Sequence, residues 1–292
     1  MENSMSFEVT EAMVQQYNSN IALVSQQKQS RLRRAVRVES IHAEYEYFDQ
    51  IGTTEAQPRG ARHSDTPLMN TPHMRRRVST LPYNWADMVD NPDKLRMLAD
   101  PTSPYVQNAV MAFNRAMDAV IVEAGFGTAY TGKEGGTAVG FDTTNQVIAH
   151  GSAGLTVAKL IEARRIFWAN EVDEGIPLYI AVTSKQLANL LGTTEVTSAD
   201  YNSVKALVRG EVNTFMGFEF IRYEKLPYDV SNGRACMAWA KDGILLALAE
   251  DITTRVSERA DKNYSTQVYV EMDLGAVRME EKKVVKIWCS ES

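Results

Sequence analysis

Met13, Tyr17, Ile21 and Val24 recur every three or four positions, which predicts an amphipathic helix over residues 8–30. Val36, Val38, Ile41, Ala43, Tyr45 and Tyr47 then alternate with Arg37, Glu39, His42, Glu44 and Glu46, the period of a two-faced strand. A second apolar stretch, Val78 to Val89, follows Pro72 and an arginine triplet. Between these stretches the chain has no helical periodicity and is rich in turn residues. A stretch this long without structure usually marks a functional or protruding loop. Residues 36–90 are therefore expected to form a two-stranded arm with an irregular tip. An isolated hairpin is marginal in water, so another molecule is expected to support it.

Ser103 and Pro104 open the clearest helix, as N-cap and first helical residue. Val106, Ala109/Val110, Phe113, Met117, Val120/Ile121 and Ala124 form its apolar stripe, and Gly125 is expected to end it. Residues 125–154 are Gly- and Thr-rich and read as loops or short strands. A second helix is expected over residues 156–170, with Ile161, Phe167 and Trp168 turned inward. PLYIAVT (177–183) reads as a short buried strand. Ser184 caps a helix carrying Leu187, Leu190 and Leu191 that ends at Gly192, and Ser198 caps another carrying Tyr201, Val204, Leu207 and Val208. FMGFEFIRYEKL and RACMAWAKDGILLALAED look like strands. Three alternating segments near Ile252–Val256, Thr266–Met272 and Lys283–Cys289 suggest an antiparallel sheet. The class is α+β, with helices between the arm and a C-terminal sheet.

Composition adds exclusions. The chain is 44% apolar and 23% charged over 292 residues, which rules out a mainly disordered or fibrous protein. Its two cysteines, Cys236 and Cys289, cannot make a disulfide scaffold and fit a reducing compartment. No window is apolar enough for a membrane span, and the acidic, polar start is unlike a signal or transit peptide. Charge is unevenly spread. Residues 1–99 carry 12 basic and 12 acidic side chains, so residues 100–292 hold the entire net charge of −6. Seven of the nine prolines fall between Pro58 and Pro104. The basic positions cluster as Arg31, Arg33, Arg34 and Arg37, then Arg59, Arg62, Arg75, Arg76 and Arg77. The first group reads best as a solvated helix end whose cations complement the dipole.

No catalytic constellation is visible. Gly127 to Lys133 matches the start of a phosphate-binding loop, but Glu134 stands where Ser or Thr would hold Mg²⁺, and the segment follows a helix rather than a strand. His42, His63, His73 and His150 lack metal-ligand spacing, and Ser152 does not sit in a nucleophile elbow. Glu280 and Glu281 precede Lys282 and Lys283 on an expected strand and read as a charged solvated face. The expectation is no enzyme activity, cofactor or metal.

The order of elements is itself a pattern: arm, long hairpin loop, long helix, second helix, a strand-and-helix unit, then returning strands. It resembles the major capsid protein of tailed bacteriophages, the Hong Kong 97-type fold. Four stretches look like phage coat proteins: WADMVDNPDKLRMLADPTSPYVQNAVMAFNRAMDAVIVEA (85–124), TSADYNSVKALVRGEVNTFMGFEFI (197–221), WAKDGILLALAEDITTRVSERADK (239–262) and GAVRMEEKKVVKIWC (275–289). The resemblance implies an N-terminal arm over 1–35, an E-loop over 36–90 and a P-domain over 91–176 with its spine helix at 103–124. It also implies an A-domain over 177–248 and P-domain return strands over 249–292. It implies a coat protein that assembles into hexamers and pentamers of an icosahedral shell around double-stranded DNA. Further partners would be a separate scaffolding protein, a portal protein and a decoration or cement protein, with weak non-specific contact to the DNA and none to membrane. Its place is the virion, and the host cytoplasm during assembly. Some members lock the shell through an E-loop lysine; no lysine lies between Lys28 and Lys94, so no such cross-link is expected. The arginines of both clusters become candidates for inter-subunit contact with the acidic remainder of a neighbour. Two alternatives stay open: a nucleic-acid-binding protein using the basic arm, disfavoured by a pI near 5.4, and a non-viral encapsulating shell of the same fold.

Overall fold

The computed structural model describes residues 26–58, 60, 62, 68–89, 102–192 and 214–291. The helix expected over 8–30 lies outside these as far as residue 25, and residues 26–30 are not helical. The helix expected at Ser198 also lies outside the described residues.

The long helix is α1, Thr102–Phe126. Ala109, Phe113, Met117 and Ile121, spaced by four, are its buried stripe. It starts one residue before Ser103 and ends two after Ala124, so both expected caps lie inside it. Pro104 sits in the first turn, where its missing N–H has no partner to lose. Gly125 is explained by packing: a Cβ there would collide with Met237 Sδ.

α1 packs on a four-stranded sheet of order β1-β13-β14-β4, built from β1 Arg37–Ser40, β4 Leu81–Val89, β13 Ile244–Arg259 and β14 Ser265–Arg278. On β14, Val268, Val270, Met272 and Leu274 alternate into the main core. The start of β13 is buried on both faces. Ile244, Leu246 and Leu248 enter the main core, while Leu245 and Ala247 enter a smaller one with Ile41, Val78, Ala129, Val277 and Met279. This double burial is why ILLALA reads as an unbroken apolar run.

A second sheet has the order β7-β15-β12-β8-β10-β9, with β11 added to β12. Its strands are β7 Val147–Ile148, β8 Leu178–Val182, β9 Thr214–Phe215, β10 Phe218–Arg222, β11 Tyr228–Asp229, β12 Gly233–Ala240 and β15 Val284–Cys289. The three tail segments therefore do not share one sheet. β13 and β14 pair as a hairpin, whereas β15 pairs with β12 and β7. Two further helices are α2, Val157–Ala169, capped by Thr156, and α3, Ser184–Gly192. On α2, Leu160, Ala163, Ile166 and Phe167 face inward, but Ile161 and Trp168 are about half exposed, contrary to expectation. Lys159 sets this phase. Its ammonium is turned inward onto the carbonyls of His150 (2.8 Å), Ala153 (2.8 Å), Gly154 (2.7 Å) and Trp288 (3.0 Å).

The arm is a third sheet of order β2-β3-β5-β6: β2 Tyr45–Ile51, β3 His73–Ser79, β5 Ala129–Thr131 and β6 Thr137–Val139. The alternation from Val36 to Tyr47 is thus two strands in different sheets. The chain crosses between them at residues 41–44, where Ile41 N donates to Leu248 O (3.0 Å) and Thr80 N donates to Glu44 O (3.3 Å). The return leg divides likewise, at Thr80. A Cβ on Gly275 would strike the Ser79 carbonyl, so glycine permits the close crossing at the arm's root. The hairpin also has support within its own chain, from β5, β6 and the smaller core.

Candidate inter-subunit surface

The basic run before β1 is anchored by one buried carboxylate. Asp118 on α1, with no exposed surface, accepts from Ser30 Oγ (2.6 Å) and from the backbone N–H groups of Arg31 and Leu32 (3.1 Å each). Gln27 adds a side-chain donor. Burial, with Asp118 nearby, pushes the Tyr223 hydroxyl up to about 12. Trp239 Nε1 donates to Ala35 O (2.8 Å) and pins the far end of the run. Four of the sequence-predicted arginines then find partners in their own chain. Arg31 Nη1 donates to Arg222 O (2.5 Å), Arg33 grips Asp251 (2.7 Å), Arg34 meets Glu219 (2.7 Å) and Arg37 meets Glu39 (2.8 Å). The hydrogen bond from Arg33 holds the Asp251 carboxyl below its usual range. This is a docked segment, not the solvated helix end that charge alone suggests.

The arm arginines divide by strand period. Arg76 points inward and is 6% exposed; its Nη2 reaches both Glu281 oxygens (2.6 and 2.7 Å), and its Nε donates to Met279 O (2.9 Å). Arg278 lies beside the same carboxylate (3.7 Å), fully buried, with Nη1 on the carbonyls of Gly125 (3.0 Å) and Gly127 (2.7 Å). Arg75 and Arg77 point outward. Arg75 pairs with Asp49 (2.7 Å) and lies over the Tyr47 ring (5.5 Å). Arg77 lies over the rings of Tyr45 (5.3 Å) and Tyr130 (4.8 Å). Arg62 is exposed in the tip, and Arg59 lies outside the described residues. The tip also exposes Ile51 (71%) and Leu68 (97%).

A projecting arm, a long helix under a β-hairpin sheet and a second mixed sheet make up the architecture to be compared. The family model described as "Phage capsid protein" matches residues 9–291. The chain belongs to the phage capsid protein family. Solved structures agree in fold. The head of Helicobacter pylori bacteriophage KHP40 superposes with a TM-score of 0.72 at 12% identity, covering 99% of each chain. The capsid of Ralstonia phage GP4 gives 0.72 at 11% identity, covering 95% of each. Cyanophage Pam1 gives 0.71 at 13% identity, covering 99% of this chain and 98% of the other. A search of curated proteins finds no match. This phage capsid protein has the Hong Kong 97-type fold and builds the shell.

The remaining sequence features of the capsid protein are structural in position. The Gly127–Lys133 segment follows α1, and its Ala129–Thr131 strand seals the arm sheet. Cys236 and Cys289 are buried free thiols, 3.9 Å apart at Sγ. Among the described residues no helix is long and apolar enough to cross a membrane. Sequence reading missed Asp118, Glu281, Tyr45 and Tyr130 as partners of the arginines. The period-2 placement of Arg75, Arg76 and Arg77 was the available signal that one of them faces inward.

Proposed function

We propose that this chain is the major capsid protein of an icosahedral shell enclosing phage double-stranded DNA, held by non-covalent contacts between subunits. The observation that carries the reading is the family match from residue 9 to residue 291. In this reading residues 1–35 are the N-arm, 36–90 the E-loop, 91–176 and 249–292 the P-domain, and 177–248 the A-domain. The subunits form hexamers and pentamers, assisted by a separate scaffolding protein and joined by a portal and a decoration protein. Contact with the packaged DNA is weak and non-specific, in keeping with the net charge of −6. Assembly takes place in the host cytoplasm, and the virion is the final location. Catalysis has no part in this role.

Inter-subunit pairing falls to Arg62 and Arg77 in the arm and tip, because Arg76 is spent on Glu281 and Arg75 on Asp49. Negative-stain microscopy of the purified protein tests the reading: shells, tubes or capsomers are expected, and small single particles at every concentration refute it. Particles heated in denaturant and reductant should run as a single band, since residues 29–93 hold no lysine. A ladder of linked oligomers refutes the non-covalent part.

A further inference from the structure

Arg77 is held differently from its two neighbours on β3, Arg75 and Arg76. It stands opposite Tyr47 on β2 and Tyr130 on β5. The rings of Tyr45 and Tyr130 pack against its guanidinium. The turn after β5 closes on its stem: Gly135 has φ +61, and a Cβ there would come within 2.6 Å of Arg77 Cδ. That turn is itself held by Tyr47 Oη donating to Glu134 O (3.3 Å). Arg75 and Arg76 each have a carboxylate, but among the described residues none lies within ion-pair distance of Arg77. Contact with ring faces leaves the in-plane N–H groups unspent, and these match a carboxylate in two-pronged geometry. Tyr45, Tyr47 and Tyr130 remain 47%, 38% and 40% exposed. Exposed tyrosines around an ordered arginine are the composition of an interface hot spot.

We infer that the Arg77–Tyr45–Tyr130 cluster receives a carboxylate from a second copy of this chain, supplied by the loop Glu171–Glu174 after α2. This rests on the shell-forming reading above and names one of its contacts. The donor loop follows from charge complementarity. Some exposed carboxylates, such as Asp49, Asp251 and Asp261, already hold an arginine, and others, such as Glu55, Glu123 and Glu224, stand singly along the chain. Glu171, Asp173 and Glu174 are three exposed carboxylates in four residues, with no Lys or Arg ion pair among the described residues. The half-exposed Trp168 stands beside them and adds apolar area of the kind that excludes water around a hot spot.

The test is a charge exchange on the full chain. Arg77→Glu alone, and the triple change Glu171→Lys, Asp173→Lys, Glu174→Lys alone, should each lower the yield of sedimenting shells by about tenfold or more. Their combination should recover most of the wild-type yield. Far-ultraviolet circular dichroism of the soluble fraction checks folding, and Arg77→Gln, which keeps polarity without charge, should assemble at an intermediate level. Wild-type assembly by Arg77→Glu overturns the contact. Loss in both the Arg77→Glu and the triple-lysine variants without recovery in the combination overturns the choice of loop. A wild-type protein that never assembles overturns the shell reading, and the contact with it.

Discussion

Replacing Arg76 with methionine keeps the packed stem and removes the guanidinium, and the loss can be sized from the contacts. Two bonds to Glu281 and one to the Met279 carbonyl disappear. Breaking a buried ion pair by deleting one partner costs about 3–5 kcal/mol. Two features reduce this here. The Glu281 side chain is 28% exposed and can be rehydrated, and Arg278 stands 3.7 Å away to take part of its charge. A cost of about 2–3 kcal/mol remains. It should be local, because β3 joins the body through the smaller core and, among the described residues, pairs with no strand of the second sheet. Hydrogen exchange on unassembled subunits is the assay. Amides of β2, β3 and β5 should exchange faster by about 30- to 140-fold, each 1.4 kcal/mol being a factor of ten. Amides of β8, β12 and β15 should be unchanged. An arm acceleration below about threefold, or an equal acceleration everywhere, would refute the role of the Arg76–Glu281 pair as the arm's fastener.

Lys159→Met removes three donors that serve four carbonyls, so the urea midpoint should fall by an amount equivalent to about 2–4 kcal/mol; an unchanged midpoint would show that water replaces the ammonium fully. Gly275→Ala presses a methyl onto the Ser79 carbonyl and should destabilise by about 1–3 kcal/mol in denaturant titration, whereas Gly140→Ala, in open space, should be neutral. Acid should weaken the subunit. Hydrogen bonds from Arg33 and Arg234 hold the Asp251 and Glu291 carboxyls below their usual range, so the folded state binds those protons less tightly than the unfolded chain. Their contribution is complete above about pH 5 and is lost as pH falls through the lowered folded values, below about pH 4. Thermal melts across that range should show it, with a smaller acid loss in Arg33→Gln.

The sequence carried the fold where a period persisted long enough to be read. The stripe Ala109, Phe113, Met117, Ile121 made α1 plain, and the doubled burial of β13 showed as ILLALA. The arm was legible as strands, while their division shows only as a one-residue slip: apolar positions are even at Val36 and Val38 and odd from Ile41 on, and the chain changes sheets over residues 41–44. Partners were the hidden part. Ser30 and Asp118 are 88 residues apart, and Arg76 and Glu281 are 205 apart, so no local pattern links them. Arg75, Arg76 and Arg77, one basic triplet in sequence, are sorted by folding into an outward ion-paired cation, a fastener and a stacked cation.

The crossing at Gly275 and the Arg76–Glu281 pair together act as a root for a lever. Seven residues of β2 extend about 23 Å at the usual rise per residue. An angular slack of about 5° at the root would carry the outer end sideways by about 2 Å, several times the window of about 0.5 Å over which a hydrogen bond keeps its length. Dimensional accuracy at the rim of each tile is thus decided at its base, by one glycine and one buried arginine.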